Sequence, residues 1–206
     1  MQEITTYLAP RGLDDALRAM AARDATVLCG GTDLAPQTES GARQYTAQLL
    51  NIRRIEGLSG IEARSDEIRI GAATTISEIR RNRLLADIAP VLVEAAEHFA
   101  SEQIRNAASV GGNLCNASPA GDTLVPLLAL GARVVLVSKP GAALEQRVLP
   151  LGEFLIGPGR TQRTPRELLA WVDLPLPPAG YRSEFLKFGT RPALDISTIS
   201  LGVGAL

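Results

Sequence analysis

The chain has 206 residues, of which 46% are hydrophobic, and 21 Lys+Arg nearly balance 22 Asp+Glu to give a formal net charge of −1. A chain of this length can bury a sizeable core and form one or two domains. The balanced charge argues against a nucleic-acid-binding protein, because phosphate-backbone binding requires a basic surface. The first residues hold no basic segment followed by an apolar stretch, and no run of about 18 apolar residues occurs. The sequence therefore predicts a cytoplasmic protein without a membrane span.

The two cysteines, Cys29 and Cys115, lie far apart in the sequence, and neither belongs to a C-x-x-C pair. This spacing predicts no zinc or iron–sulfur site within the chain. Buried free thiols are the interpretation that we favour, and a disulfide between the two cysteines is the alternative.

Residues 1–56 are predicted to form a small unit of strands and helices. Apolar residues recur at helical spacing over residues 13–22, and two short apolar strands are predicted over residues 26–29 and 48–52. The first of these strands leads directly into Gly30-Gly31.

Residues 57–176 form a second predicted unit. The apolar pattern predicts helices over residues 75–81, 90–100 and 123–130, and strands over residues 68–71, 133–138, 146–149 and 167–174. Residues 104–122 show no clear period. Short strands and helices without strict alternation favour an α+β class over a doubly wound sheet.

Prolines and a glycine between residues 175 and 180 predict a second boundary. Residues 177–206 then form a third segment, with two strands predicted on either side of Thr190-Arg191-Pro192.

The short segment Gly30-Gly31-Thr32-Asp33-Leu34 directly follows a predicted strand. Its glycine N–H groups are unshielded by a side chain, and the Thr32 hydroxyl adds a donor, so the segment can hold an anion such as a pyrophosphate. It matches neither G-x-G-x-x-G nor the P-loop pattern. An ordinary turn with an Asx or Thr cap is the alternative.

The longer segment, residues 107–122, is rich in small residues and short hydrogen-bonding side chains (AASVGGNLCNASPAGD). A long aperiodic segment in a compact domain either wraps a ligand or packs on itself as an Ω-loop, and both interpretations stay open. Asp122 at its end is either the N-cap of the following helix or an acceptor for a ligand.

Two further features have simpler interpretations. Residues 157–160 (GPGR) are typical of a surface turn, although they present a guanidinium. His98 has no second His or Cys nearby in sequence and is interpreted as a structural or solvated histidine.

Three segments together resemble a known family: residues 27–34 (VLCGGTDL), 103–122 (QIRNAASVGGNLCNASPAGD) and 195–199 (DISTI). In this order and spacing they are similar to the FAD-binding medium subunit of the molybdenum hydroxylases, which include xanthine dehydrogenase and carbon monoxide dehydrogenase. The A-S-V-G-G-N and A-S-P sequences resemble the xanthine dehydrogenase branch most.

The resemblance implies an α+β flavoprotein of the vanillyl-alcohol oxidase type, with FAD held between two N-terminal subdomains and covered by a third. The boundaries near residues 57 and 177 agree with that division, and only the beginning of the third subdomain is expected here.

The cofactor-binding residues that the resemblance implies fall into three groups. The first follows the first predicted strand and wraps the pyrophosphate: Val27, Leu28, Cys29, Gly30, Gly31, Thr32, Asp33 and Leu34. The second lies in the longer segment: Ser109, Gly111, Gly112, Asn113 and Asp122. The third consists of isolated matches: Phe99, Leu169 and Lys187.

The resemblance also implies partners and a place in an electron-transfer chain. Electrons would leave the substrate at a molybdopterin cofactor on a large subunit, pass through [2Fe–2S] clusters on a small subunit, and reach FAD on this chain. NAD⁺ or another acceptor would then be reduced. We keep two alternatives: a non-catalytic assembly or docking subunit without stable FAD, and a stand-alone flavin oxidase of the wider fold family.

Overall fold

The computed structural model describes residues 3–191 and 195–206. The N-terminal part forms a three-stranded parallel sheet in the order β1-β3-β2. Its elements are β1 (Thr6–Leu8), α1 (Leu13–Ala22), β2 (Ala25–Leu28), α2 (Leu34–Glu39) and β3 (Gln48–Asn51). The predicted helix and both predicted strands are confirmed, whereas the sequence analysis did not find β1 or α2.

The middle part is built on a five-stranded antiparallel sheet in the order β4-β5-β10-β6-β7, with helices between the strands. The first half contains β4 (Ile61–Ala63), β5 (Glu67–Gly71), α3 (Ile76–Arg81), α4 (Arg83–Ile88), α5 (Pro90–Glu97), α6 (Glu102–Ala107) and α7 (Val110–Asn116). The second half contains α8 (Leu124–Ala129), β6 (Arg133–Ser138), β7 (Glu145–Pro150), α9 (Leu151–Phe154), β8 (Leu155–Gly157), β9 (Arg160–Thr161) and β10 (Leu168–Pro175). The mixture of helices and strands confirms the predicted α+β class.

The segment over residues 104–122, which showed no period in sequence, contains helix α7 and most of helix α6. The Ω-loop interpretation of residues 107–122 is therefore wrong, because helix α7 occupies seven of these residues. Four of the seven residues of α7 are buried, among them Gly111 and Asn113, so the helix lacks the polar face that would have produced an amphipathic pattern.

Strand β10 lies at the centre of the five-stranded sheet and contributes to two hydrophobic clusters. Leu169 and Val172 pack into the larger one, which contains residues of helices α3, α5, α7 and α8. Leu168 and Ala170 pack into the smaller one, with Leu17 of α1 and Leu50 of β3. Because both faces of β10 are covered, its sequence is apolar from Leu168 to Val172 without alternation.

The C-terminal part is an antiparallel hairpin of β11 (Arg182–Phe188) and β12 (Ile199–Ala205), which confirms the two predicted strands. Pro192 of the predicted turn lies outside the described residues. One face of the hairpin packs against α5 and α8 and includes the buried Phe185.

Within the described residues, the parallel sheet lies in residues 1–56, the five-stranded sheet and the small β8-β9 sheet lie in residues 57–176, and the hairpin lies in residues 177–206. The boundaries themselves stay a prediction. The smaller hydrophobic cluster crosses the first of them, because Val137 of β6 packs with the residues of α1. Within residues 3–191 and 195–206, the structure contains no helix with the length and apolar character needed to cross a membrane.

Candidate functional site

A cavity of about 380 Å³ lies between the N-terminal sheet and the middle part of the chain. It is lined by β2 and the loop that follows it, helix α7, the start of β10 and a loop over residues 43–46. Its volume falls in the range of small-molecule and cofactor sites. Both glycine segments singled out in the sequence therefore meet at one cavity, although they are about 80 residues apart in the chain.

The loop after β2 exposes peptide donors toward this cavity. Gly31 has a φ of +74°, which an L side chain rarely adopts, and the chain then enters α2 at Leu34. Among the described residues, no backbone or side-chain acceptor pairs with the peptide N–H groups of Gly31, Thr32 or Asp33. These three donors are available to an anionic ligand. The sequence analysis expected the N–H groups of the two glycines and the Thr32 hydroxyl as donors, and that expectation stays a prediction.

Gly30 has a packing role that the sequence analysis did not predict. A Cβ at this position would meet the carbonyl oxygen of Ala107 and lie 2.8 Å from its carbonyl carbon and 2.9 Å from the Cα of Ala108. Glycine is required here because the loop after β2 packs directly on the backbone between α6 and α7. This contact holds the two glycine segments together.

The peptide donors at the start of α7 are already used within the protein. The N–H of Val110 donates to the carbonyl of Thr74 at 3.0 Å, and the N–H of Gly111 donates to the carbonyl of Ala72 at 2.9 Å. The N–H of Gly112 donates to the Ser109 hydroxyl at 3.2 Å, which makes Ser109 the N-cap. The second glycine segment therefore contributes shape, and its first N–H groups are not free to bind a ligand.

Side-chain amides on α7 complete this wall of the cavity. The Oδ1 of Asn113 accepts from the Thr123 hydroxyl at 2.6 Å, which leaves the Asn113 amide N–H groups for other partners. The Oδ1 of Asn116 accepts from the Nε2 of Gln37 at 2.8 Å. This second bond ties α7 to α2 across the cavity.

Two arginines that the sequence analysis did not single out also line the cavity, Arg43 and Arg163. Arg163 is anchored, since its Nη1 donates to the carbonyls of Glu167 at 2.7 Å and Thr164 at 3.1 Å. No local pattern marks either residue, because one follows α2 and the other precedes β10. Only the tertiary fold brings them to the glycine segments.

Both cysteines also line the cavity and are free thiols, so the disulfide alternative is wrong. Burial raises the pKa of both thiols, and a contact with Ser109 partly offsets this effect at Cys29. The raised pKa values make both thiols poor nucleophiles near neutral pH.

Asp122 and Lys187 form a buried ion pair behind the cavity wall. The Lys187 Nζ donates to the Asp122 carboxylate at 2.9 Å and to the carbonyl of His98 at 3.0 Å. Burial raises the pKa of Asp122, while the hydrogen bond from Lys187 acts in the opposite direction. The second carboxylate oxygen of Asp122 is buried without a partner among the described residues. Asp122 is not the N-cap of α8, because that position belongs to Thr123.

A family model described as the FAD binding domain in molybdopterin dehydrogenase matches residues 2–177. The chain belongs to this family of FAD-binding domains.

Relatives of known name agree with the family match. The xanthine dehydrogenase FAD-binding subunit of Escherichia coli O157:H7 is 32% identical over 202 residues, which cover 97% of this chain and 68% of that protein. The carbon monoxide dehydrogenase medium chain of Afipia carboxidovorans is 31% identical over 206 residues, which cover 95% of this chain and 69% of that protein. A solved carbon monoxide dehydrogenase from Hydrogenophaga pseudoflava superposes with a TM-score of 0.90 at 26% identity, covering 99% of this chain and 70% of the matched chain.

The family match confirms the predicted fold and identifies FAD as the cofactor of this type of domain. The relatives are dehydrogenase subunits, so the chain is an oxidoreductase subunit. The names of these relatives describe a medium chain or an FAD-binding subunit, that is, one chain of an enzyme with several chains.

The structure brings thirteen of the sixteen predicted FAD-binding residues to the cavity. They are Val27, Cys29, Gly30, Gly31, Thr32, Asp33, Leu34, Phe99, Ser109, Gly111, Gly112, Asn113 and Leu169. The other three, Leu28, Asp122 and Lys187, all lie within the described residues but do not line the cavity. Lys187 nevertheless contacts the carbonyl of His98, the residue before Phe99.

The residues present fit an FAD cofactor. The free N–H groups at residues 31–33 suit the pyrophosphate, and the cavity wall between Phe99 and Leu169 supplies apolar surface for flat rings. Arg160, which the sequence analysis placed in a surface turn, lies in β9 and is exposed. The structure gives no reason to include it in the site.

Proposed function

We propose that this chain is the FAD-carrying electron-transfer subunit of a molybdopterin-dependent dehydrogenase. Electrons reach it from [2Fe–2S] clusters on a small partner subunit, after substrate oxidation on a large molybdopterin-binding subunit, and leave to NAD⁺ or another acceptor. The observation that carries this proposal is the single cavity to which both glycine segments contribute, in a chain whose family match covers residues 2–177.

The residues of the chain have a binding role in this proposal. The loop from Gly31 to Asp33 holds the pyrophosphate through its free peptide N–H groups, and the Thr32 hydroxyl adds a donor. Asn113 directs its amide N–H groups to the same ligand, while Phe99 and Leu169 contact the rings. FAD, when bound, supplies the electron-carrying chemistry, and the protein supplies position and electrostatics.

The buried pair of Asp122 and Lys187 is proposed to lie close to the flavin end of the cofactor. The pair is joined to the cavity wall at two points. The neighbour of Asp122, Thr123, donates to Asn113, and Lys187 donates to His98 beside Phe99. Its unpartnered carboxylate oxygen is an acceptor for a ribityl hydroxyl or a ring N–H of the cofactor.

The first experiment is to purify the full chain, add excess FAD, remove the unbound cofactor and record the visible spectrum. Retained flavin absorption at a ratio near one FAD per chain supports the proposal. A chain that retains no flavin but co-purifies with molybdopterin-containing and iron–sulfur subunits would overturn it in favour of an assembly subunit.

The electron acceptor is tested separately by adding NADH to the FAD-loaded chain without oxygen. Loss of the visible flavin absorption supports NAD⁺ as the physiological acceptor, because electron transfer between the two is reversible. If dithionite bleaches the flavin and NADH does not, NAD⁺ is excluded as the acceptor of this subunit.

A further inference from the structure

The segments that resemble FAD-binding motifs hold almost no positive charge: residues 27–34 contain no lysine or arginine, and residues 103–122 contain only Arg105. Arg105 does not line the cavity, and its Nη1 donates to the carbonyls of Phe99 and Ala100. The pyrophosphate of FAD carries two negative charges, and the first N–H groups of α7 are already used by protein acceptors. Any side-chain positive charge at the cavity therefore comes from outside these segments. Arg43 and Arg163 are arginines that line the cavity.

The two arginines reach the cavity from different parts of the fold. Arg43 follows α2, and its backbone N–H donates to the carbonyl of Gln37 at 3.0 Å. Arg163 precedes β10 and is held through its Nη1 alone by two backbone carbonyls. The other guanidinium nitrogens of Arg163, and the whole guanidinium of Arg43, have no hydrogen-bond acceptor within the described residues.

Cys115 of α7 lines the same cavity as the two arginines. Burial raises the pKa of this thiol, and the charges of Arg163 and Arg43 both act against that effect. Arg43, Arg163 and Cys115 therefore line one cavity, and both guanidinium charges act on the thiol.

Acidic residues of the cavity do not neutralise these charges. Asp24 pairs with Arg166 at 3.3 Å. Asp33 is exposed, and within the described residues no ion pair joins it to either arginine. Within the described residues, neither Arg43 nor Arg163 forms an ion pair with a carboxylate.

We propose that Arg43 and Arg163 form a cationic subsite that binds the adenosine diphosphate half of FAD and selects FAD over FMN and riboflavin. This inference rests on the proposed function. A guanidinium can pair with a phosphate oxygen and can also stack on an adenine ring. FMN has one phosphate and no adenine, so it gains less from two guanidinium groups.

The test measures the affinities of FAD, ADP and FMN for the full chain and for Arg43→Gln, Arg163→Gln and the double variant. Each single substitution is expected to weaken ADP and FAD binding about tenfold, and the double variant about a hundredfold. FMN affinity is expected to change by less than about twofold. Arg182→Gln is the matched control, because Arg182 is an exposed arginine on the hairpin strand β11 and does not line the cavity.

Salt dependence separates a charge effect from a structural one. ADP affinity for the original chain should fall as salt rises, and that dependence should be smaller in the double variant. Arg43 is exposed, so Arg43→Gln tests the inference even if Arg163→Gln disturbs the loop that it anchors.

Two results would overturn the subsite: equal losses of FMN and ADP affinity in the variants, or unchanged ADP affinity in both Arg43→Gln and the double variant. In either case, FAD binding to the original chain would still support the proposed function. Failure of the original chain to bind FAD, ADP and FMN would overturn the proposed function itself.

Discussion

At the residue scale, the glycines of the two segments have different physical roles. Gly31 is required by its positive φ, and its N–H is free for a ligand. Gly30 and Gly111 are required by close packing, since a Cβ on Gly111 would lie 2.6 Å from the Cβ of Ala72. The sequence indicated that glycines are needed here, but local pattern cannot distinguish a ligand contact from a backbone contact.

Gly30→Ala should destabilise the chain by about 1–3 kcal/mol, because the new Cβ meets backbone atoms that cannot rotate away. It should also weaken FAD binding, since the loop after β2 must move from the junction between α6 and α7. Urea unfolding and an FAD titration measure the two effects. Gly141→Ala is the control, because a Cβ there meets no atom within 4 Å. Equal stability and equal FAD affinity in the two variants would show that the Gly30 contact is unimportant.

At the scale of elements, the central sheet is joined by an ion pair between β5 and β10. Arg69 and Asp173 are cross-strand partners, and the Nε and Nη2 of Arg69 donate to the two carboxylate oxygens of Asp173 at 2.7 Å each. The Arg69 guanidinium also lies 4.9 Å from the ring centroid of Trp171. Asp173 is only 3% exposed, so loss of either partner leaves a poorly solvated charge or an unfilled space.

Asp173→Ala is expected to lower the free energy of unfolding by about 3 kcal/mol, because it leaves the Arg69 charge without its buried partner. The double variant Arg69→Met/Asp173→Leu should lose less stability than Asp173→Ala alone, because it removes both charges. Urea unfolding at neutral pH measures both. A double variant less stable than the single one would indicate that the pair contributes net stability through its geometry.

The helices α6 and α7 illustrate what element prediction from sequence can miss. Two adjacent glycines disfavour a helix intrinsically, and small residues leave no amphipathic period. Helix α7 forms because tertiary partners satisfy its N-terminus: Ser109 caps it, and the carbonyls of Thr74 and Ala72 accept its first N–H groups. These acceptors lie more than 30 residues away in the chain, so no local window contains the information.

At the scale of the whole molecule, one face of the β11–β12 hairpin is apolar and exposed. Leu186 pairs with Leu201, and Phe188 pairs with Ile199; these side chains are between 49% and 64% exposed. An exposed apolar surface of this kind differs from the scattered apolar residues normal on a protein surface. The opposite face is covered by α5 and α8, so the hairpin is held from one side only.

We expect the exposed hairpin face to dominate the binding of an apolar dye such as bis-ANS to the folded chain. Ile199→Ser should reduce dye fluorescence clearly, because it interrupts a contiguous apolar face. Ile156→Ser is the matched control: Ile156 is 57% exposed, close to the 64% of Ile199, but lies on β8 outside the hairpin. Equal losses of fluorescence in the two variants would show that the hairpin face is not a distinct dye-binding surface.

The sequence by itself determined the α+β class, most of the strands and the resemblance to FAD-binding subunits. The class and the strands depend on local apolar pattern. The resemblance depends on short motifs whose chemistry is contained within a few neighbouring residues. Only the tertiary structure decided that Gly30 packs on Ala107, that the N–H groups of α7 are satisfied internally, and that Arg43 and Arg163 face the same cavity. Each of these facts depends on contacts between residues far apart in the chain. Such contacts arise when the hydrophobic clusters bring separate elements together, and no local sequence pattern records them.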